Sequence, residues 1–196
     1  MPTRKLILVG SPNSGKSLLF NRLTGLAQKV ANFPGITVDV GTGSIQALPD
    51  TQLVDFPGTY SLQAISAEEQ LAVDYFERAL ADDSVEQVLC VIDATRLEKS
   101  LYFTLQVIRD CERHHKKVTV LANMIDVLDK NDLALDVAGL SAALHTPVLP
   151  VSARSGKGVD AVIAELARPL PATFVPRAHL AETPDAILRG EAHSLA

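Results

Sequence analysis

The sequence predicts an α/β domain with a mostly parallel central sheet and helices on both faces. Two observations lead to this class. Short apolar, β-branched segments alternate along the chain with segments whose apolar residues recur at helical spacing. The 196 residues also suffice for one such domain with a substantial core.

The predicted elements follow one another in a regular order. The segments predicted as strands are Lys5–Val9, Val38–Leu48, Gln52–Asp55, Gln87–Ile92, Lys117–Ala122 and Val148–Val151. The segments predicted as helices are Leu18–Leu23, Ala67–Leu80, Leu97–Cys111, Leu133–Leu144 and Val159–Leu166.

The alternation ends after Leu166. Prolines at 169, 171 and 176 indicate a linker, and Thr183-Pro184 is typical of a helix start. We therefore predict one domain at residues 1–168. Residues 169–196 are then a linker and the start of a helical segment that leads toward a further C-terminal region.

The composition argues against several classes of function and location. The net charge is -5, and the chain has no Lys/Arg cluster, so binding to nucleic acid or an anionic membrane is not expected. The two cysteines, Cys90 and Cys111, form no CxxC pair, which favours a reducing compartment; Cys111 is expected to be partly exposed. No signal peptide and no run of about 18 apolar residues is present, so we predict a soluble cytoplasmic domain.

The strongest motif is a glycine-rich loop between the first strand and the first helix. It matches GxxxxGK[ST], whose backbone N–H groups and lysine hold a phosphate chain and whose serine hydroxyl ligates Mg²⁺. The predicted phosphate-binding residues are Gly10, Ser11, Pro12, Asn13, Ser14, Gly15, Lys16, Ser17 and the following Leu18. The fold class therefore narrows to a P-loop NTPase.

A second motif, Asp55-Phe56-Pro57-Gly58, ends a predicted strand. Asp55 is placed to hold Mg²⁺ through a water, and the Gly58 N–H to approach a γ-phosphate. Alone, DxPG is an ordinary turn. Its position after the P-loop favours the functional interpretation, with Pro57 beside the nucleotide.

Two further loops indicate guanine as the base. The Asp126 carboxylate can accept from guanine N1–H and its amino group, a pair of contacts that adenine cannot make. Asn123 can bond the base N7 and brace the P-loop, and the Ala153 N–H can meet guanine O6. The predicted base-binding residues are Asn123, Met124, Asp126, Ser152, Ala153 and Arg154. All follow strands, where such folds bind ligands, so GTP or GDP is the predicted ligand.

The segment 28–38 resembles a mobile switch loop. It contains proline, glycine and a single threonine, Thr37, which can ligate Mg²⁺ and sense the γ-phosphate. Gly35 and Ile36 are predicted to approach the nucleotide with it.

Together GSPNSGKS, NFPGITVD, DFPGTYSL, NMID and SAR resemble the N-terminal G domain of the FeoB family over about Lys5 to Leu166. The resemblance implies a GTPase that drives or gates ferrous iron uptake, at the cytoplasmic face of the bacterial inner membrane. It also implies a C-terminal transmembrane permease region and small cytosolic Feo proteins as partners. The family usually has a helical dissociation-inhibitor domain after the G domain. The segment from about Ala167 to Ala196 is expected to be too short for it, so the domain is expected to be absent, reduced or cut off.

Hydrolysis is expected to be slow. Thr59 stands after Gly58 where signalling GTPases carry a water-positioning glutamine. Asn13 follows Pro12, as in potassium-activated GTPases, so it is the predicted K⁺ ligand; the alternative is a turn-forming residue. Lys16, Gly58, Thr37 and Asn13 are the predicted catalytic residues.

Two other functions stay open at this point. A ribosome- or tRNA-associated translation-factor-like GTPase shares the PNxGKS and DxPG loops, although the acidity and GTYSL argue against it. A nucleotide-regulated interaction module with incidental hydrolysis is the other.

Overall fold

The computed structural model describes residues 4–25, 29–32, 39–58, 61–62, 67–169 and 192–195. Its strands are β1 (Arg4–Gly10), β2 (Lys29–Asn32), β3 (Asp39–Ile45), β4 (Leu48–Asp55), β5 (Val85–Asp93), β6 (Lys117–Asn123) and β7 (Val148–Pro150). Its helices are α1 (Lys16–Thr24), α2 (Ala67–Leu80), α3 (Leu97–Arg113), α4 (Ile125–Lys130), α5 (Val137–Leu144) and α6 (Val159–Leu166).

The strands form one sheet in the order β2-β3-β4-β1-β5-β6-β7. The five strands from β4 to β7 run parallel, and β3 and β2 continue the sheet antiparallel at one edge. The mostly parallel sheet predicted from the sequence is confirmed. Because β4, β1, β5 and β6 are neighbours that run parallel, the loops that follow β1, β4 and β6 open at the same edge.

Helices cover both faces of the sheet, which is why its central strands carry apolar residues on both faces. Successive residues of β1 point to opposite faces: Leu6 and Leu8 join a core cluster with Phe20 of α1, whereas Ile7 and Val9 join another with Phe103 of α3. All six side chains are almost completely buried. This packing fixes the start of α1 over the end of β1.

Several element boundaries differ from the sequence prediction. The predicted strand Val38–Leu48 is divided into β3 and the start of β4, because the chain turns between Ile45 and Leu48. The helix predicted from Leu133 begins at Val137, since the Asp136 side chain caps it by accepting from the Gly139 N–H at 2.9 Å.

Two short elements were not predicted from the sequence. These are β2 with four residues and α4 with six, and neither is long enough to give a clear periodic pattern. The antiparallel edge of the sheet was therefore missed.

The predicted C-terminal helix from Thr183 lies mostly outside the described residues. Residues 192–195 are helical, with Ala192 buried and Leu195 packed against the α3 side of the core. Within the described ranges, no helix combines the length and apolarity needed to cross a membrane.

Candidate functional site

The glycine-rich loop has the backbone geometry of a phosphate cradle. Gly10 ends β1, and a Cβ built there would stand 2.7 Å from the Val91 carbonyl oxygen, so no larger residue fits. Asn13 and Gly15 both have positive φ, 65° and 82°. This path turns the chain into α1 at Lys16. The first N–H groups of a helix have no intrahelical acceptor, so they are suited to anions.

The DFPG turn lies directly against this loop. The Lys16 ammonium and the Asp55 carboxylate form an ion pair, with side chains only 10% and 12% exposed. The Phe56 N–H donates to the Leu8 carbonyl at 3.0 Å and so holds the turn beside β1. A Cβ at Gly58 would lie 3.4 Å from the Gly10 carbonyl oxygen. The two motifs, about forty residues apart in sequence, therefore share one cleft.

Asn123 joins the phosphate side of the site to the base side. Its Nδ2 donates to the Ser14 carbonyl at 2.8 Å, and its Oδ1 accepts from the Ala153 N–H at 2.8 Å. The side chain is 2% exposed. A Cβ at Gly15 would overlap the Asn123 amide, so Gly15 is required for this contact as well as for its positive φ.

Asp126 lies in the first turn of α4, positioned by Met124 in the left-handed conformation at φ 69°. The Ser152 hydroxyl donates to Asp126 Oδ1 at 2.7 Å and accepts from the Ser155 N–H at 3.0 Å. Ser152 thus orients the predicted base-reading carboxylate. Sequence reasoning included Ser152 in the pocket without this role.

One predicted contact looks different in three dimensions. The Ala153 N–H, expected to meet guanine O6, donates to Asn123 Oδ1. A contact with a base therefore requires this N–H to be shared between two acceptors or released by Asn123.

The other predicted residues fall around the same cleft. Ser17, Leu18, Pro57 and Arg154 are exposed at its rim, as is Asn13, whereas Ser11 and Pro12 are half-buried. Gly35, Ile36 and Thr37 lie outside the described residues, as does Thr59.

Two residues that contact these loops were missed by sequence reasoning. Arg22 of α1 donates from Nε to the Ala153 carbonyl at 2.6 Å and from Nη2 to the Arg154 carbonyl at 2.8 Å. Gln106 of α3 accepts at Oε1 from the Leu62 N–H at 3.0 Å, just beyond the DFPG turn. Nothing in the sequence around either residue signals these contacts, because both partners are distant along the chain.

The cysteines take no part in the site. Both are fully buried, so the prediction that Cys111 is partly exposed was wrong; α3 packs that side against the sheet. Burial raises the pKa of the Cys90 thiol to about 12 and that of Cys111 well above its ordinary value. Among the residues that the structure describes, no group of His, Cys, Asp and Glu is arranged to hold a metal ion by itself.

A phosphate-type loop, a carboxylate turn and an NxxD loop at one edge of a parallel sheet define the GTPase class of P-loop domains. Within that class, the chain belongs to the FeoB family: residues 4–166 match the family model described as "Ferrous iron transport protein B".

A bacterial Fe(2+) transporter is similar to most of this chain. The chain is 41% identical over 164 residues to the Fe(2+) transporter FeoB of Salmonella typhimurium strain LT2; this match covers 79% of the chain and 20% of that protein. The chain thus spans about a fifth of the curated relatives' length.

Solved structures of S. thermophilus NFeoB are also similar. One, bound to GDP, AlF4⁻ and K⁺, has a TM-score of 0.69 at 41% identity and covers 84% of this chain and 61% of that one. A mutant bound to GDP has a TM-score of 0.73 at 39% identity, with 84% and 60% covered. The predicted family is confirmed, and the translation-factor alternative is not favoured.

Proposed function

We propose that residues 1–168 form a G domain that binds GTP and GDP and slowly hydrolyses GTP. The observation that carries the proposal is the Asn123 side chain, which bonds the P-loop at Ser14 and the base-side loop at Ala153 simultaneously. This places a phosphate cradle and a carboxylate, Asp126, on one continuous rim. A nucleotide can then span both.

Guanine selection is assigned to Asp126. Its carboxylate can accept from N1–H and the exocyclic amino group of guanine, and charge-assisted bonds of this kind are stronger than neutral ones. Ser152, held by the Ser155 N–H, keeps the carboxylate in orientation. The similar S. thermophilus NFeoB structures, which contain GDP, support this assignment.

The phosphates are assigned to Lys16 and the N–H groups of the loop. The Lys16 ammonium is nine-tenths buried beside the Asp55 carboxylate. When a nucleotide binds, the ammonium would pair with the phosphate oxygens, which carry more negative charge than one carboxylate. The Ser17 hydroxyl and the Asp55 carboxylate are hard oxygen donors that fit Mg²⁺, with Thr37 as a further ligand. Bound Mg²⁺ would neutralise charge on the β- and γ-phosphate oxygens.

Hydrolysis depends on positioning an attacking water near Gly58, which packs so closely on the P-loop that a Cβ there would lie 3.4 Å from the Gly10 carbonyl oxygen. The backbone of Asn13 is left-handed, with φ 65°. The residue is exposed at the loop's rim, where its amide oxygen can face a cation. We assign K⁺ to this position, where it would supply the positive charge that an arginine supplies in other GTPases. The S. thermophilus structure with GDP, AlF4⁻ and K⁺ supports it.

The test is turnover in potassium and sodium chloride at equal ionic strength. The wild-type chain should hydrolyse GTP much faster in potassium, and Asn13→Ala should remove the difference while GDP affinity stays nearly unchanged. Equal rates in the two salts would leave Asn13 as a turn-forming residue.

For the whole protein, we propose that this domain drives or gates ferrous iron uptake at the cytoplasmic face of the bacterial inner membrane. It would act on a C-terminal permease region and bind small cytosolic Feo proteins. The similarity to the Fe(2+) transporter FeoB of Salmonella typhimurium supports this. Cells that depend on the full-length protein should lose Fe²⁺ uptake with Lys16→Ala; unchanged uptake would refute the coupling.

A further inference from the structure

Arg22 connects the helix after the P-loop with the loop on the base side. It lies in the last turn of α1, six residues beyond Lys16. Its guanidinium contacts two successive carbonyls, those of Ala153 at 2.6 Å and Arg154 at 2.8 Å. The partners are 131 and 132 residues away along the chain, so only the folded domain brings them together.

We propose that Arg22 is a positioning residue that restrains the base-side loop and thereby sets how fast the guanine nucleotide leaves. This rests on the proposed function, since it concerns the same pocket.

The loop is held from two directions. On its inner side, the Ala153 N–H donates to Asn123. On its outer side, the carbonyls of Ala153 and Arg154 accept from Arg22 through the planar fork of the guanidinium. If the loop moves away from the base, both Arg22 contacts must break together. The loop's own turn, closed by the Gly156 N–H on the Ser152 carbonyl at 2.8 Å, favours movement as a unit.

The Arg22 contacts should affect the position of the base-side loop more than the free energy of unfolding. Arg22 is exposed overall, and exposed charged contacts contribute little to the free energy of unfolding. The same contacts matter more locally, because the open and closed loop differ by only a few interactions. Nucleotide release should therefore respond to Arg22 more strongly than the melting temperature does.

The experiment measures dissociation of fluorescent mant-GDP from the 196-residue chain by displacement with excess GDP. Arg22→Ala should raise the dissociation rate at least about fivefold, with the association rate nearly unchanged, and Arg22→Lys should lie between, because an ammonium lacks the planar fork.

A matched control is Arg4→Ala. Arg4 also donates to a backbone carbonyl, that of Leu166 at 3.0 Å, and pairs with Glu86, but it begins β1, at the opposite end of the strand from the P-loop. This variant should leave release unchanged even where it lowers the melting temperature.

Release from Arg22→Ala within about twofold of wild type would overturn the proposal, as would acceleration that merely follows loss of stability in both variants. A wild-type chain that binds no mant-GDP would overturn the proposed function and this inference together; normal binding with unaltered release overturns the inference alone.

Discussion

Replacing Asn123 with alanine tests whether the two halves of the site are held by one side chain. The residue is 2% exposed and makes two hydrogen bonds of 2.8 Å. The replacement leaves the Ser14 carbonyl and the Ala153 N–H without these partners in a buried region. A buried polar group left unsatisfied costs about 1–3 kcal/mol. Because water can enter the space and satisfy part of the loss, we expect a decrease of about 2–4 kcal/mol in the free energy of unfolding.

For a chain of this size, such a loss corresponds to a fall in melting temperature of about 4–16 °C. Chemical denaturation without nucleotide measures the free energy, and a GDP titration then measures the added loss in binding. The matched control is Asn131→Ala, whose amide donates to the Val127 carbonyl at 2.7 Å on the exposed side of α4. That variant should change stability by less than about 0.5 kcal/mol.

A second variant, Asn123→Asp, separates the two contacts. It keeps an acceptor for the Ala153 N–H but sets a carboxylate against the Ser14 carbonyl, so it should be at least as destabilising as alanine. A melting temperature of Asn123→Ala within about 2 °C of wild type would show that the two Asn123 hydrogen bonds do not stabilise the domain.

Three further predictions concern base choice, the segment after the DFPG turn and the thiols. Asp126→Asn should weaken GDP binding by about 1.5–3 kcal/mol and shift preference toward xanthosine nucleotides, because the amide can donate where the carboxylate accepted; titrations in which guanine preference is unchanged would contradict the assignment. Gln106→Leu removes the acceptor of the Leu62 N–H and should alter the ratio of GTP-analogue to GDP affinity several-fold, whereas Gln87→Leu, which removes a buried amide bonded to Thr119 at 2.7 Å, should not; equal ratios in both variants would exclude a switching role. The thiols of Cys90 and Cys111 should resist alkylation in the native chain and react after unfolding, since burial raises the pKa of Cys90 to about 12 and that of Cys111 well above its ordinary value; rapid labelling of the native chain would show that the core opens readily.

The structure also changes how Asn123 is understood. The sequence suggested a residue that reads the base and braces the P-loop, and the brace is present at Ser14. The same side chain, however, engages the Ala153 N–H that was assigned to guanine O6. Base binding and loop position are therefore coupled at this residue.

The boundaries show where local patterns stop being informative. The helix ending at Leu166 and the long helix from Leu97 were recognised because eight or more residues repeat an apolar spacing. The short α4 was missed although it carries Asp126, since six residues give too little periodicity. The start of α5 was misplaced because its cap, Asp136, outweighs the apolar residues before it.

The amino-acid sequence by itself determined the fold class, the phosphate loop and the order of motifs at strand ends. These are local properties, read from residue spacing and from the conformations that glycine and proline allow. Only the tertiary structure decided which loops touch. Asn123 lies 109 residues from Ser14, and Arg22 lies 131 from Ala153. Such contacts follow from strand order and register, with β1 between β4 and β5, and pairing across a sheet leaves no periodic signal in the residues that meet.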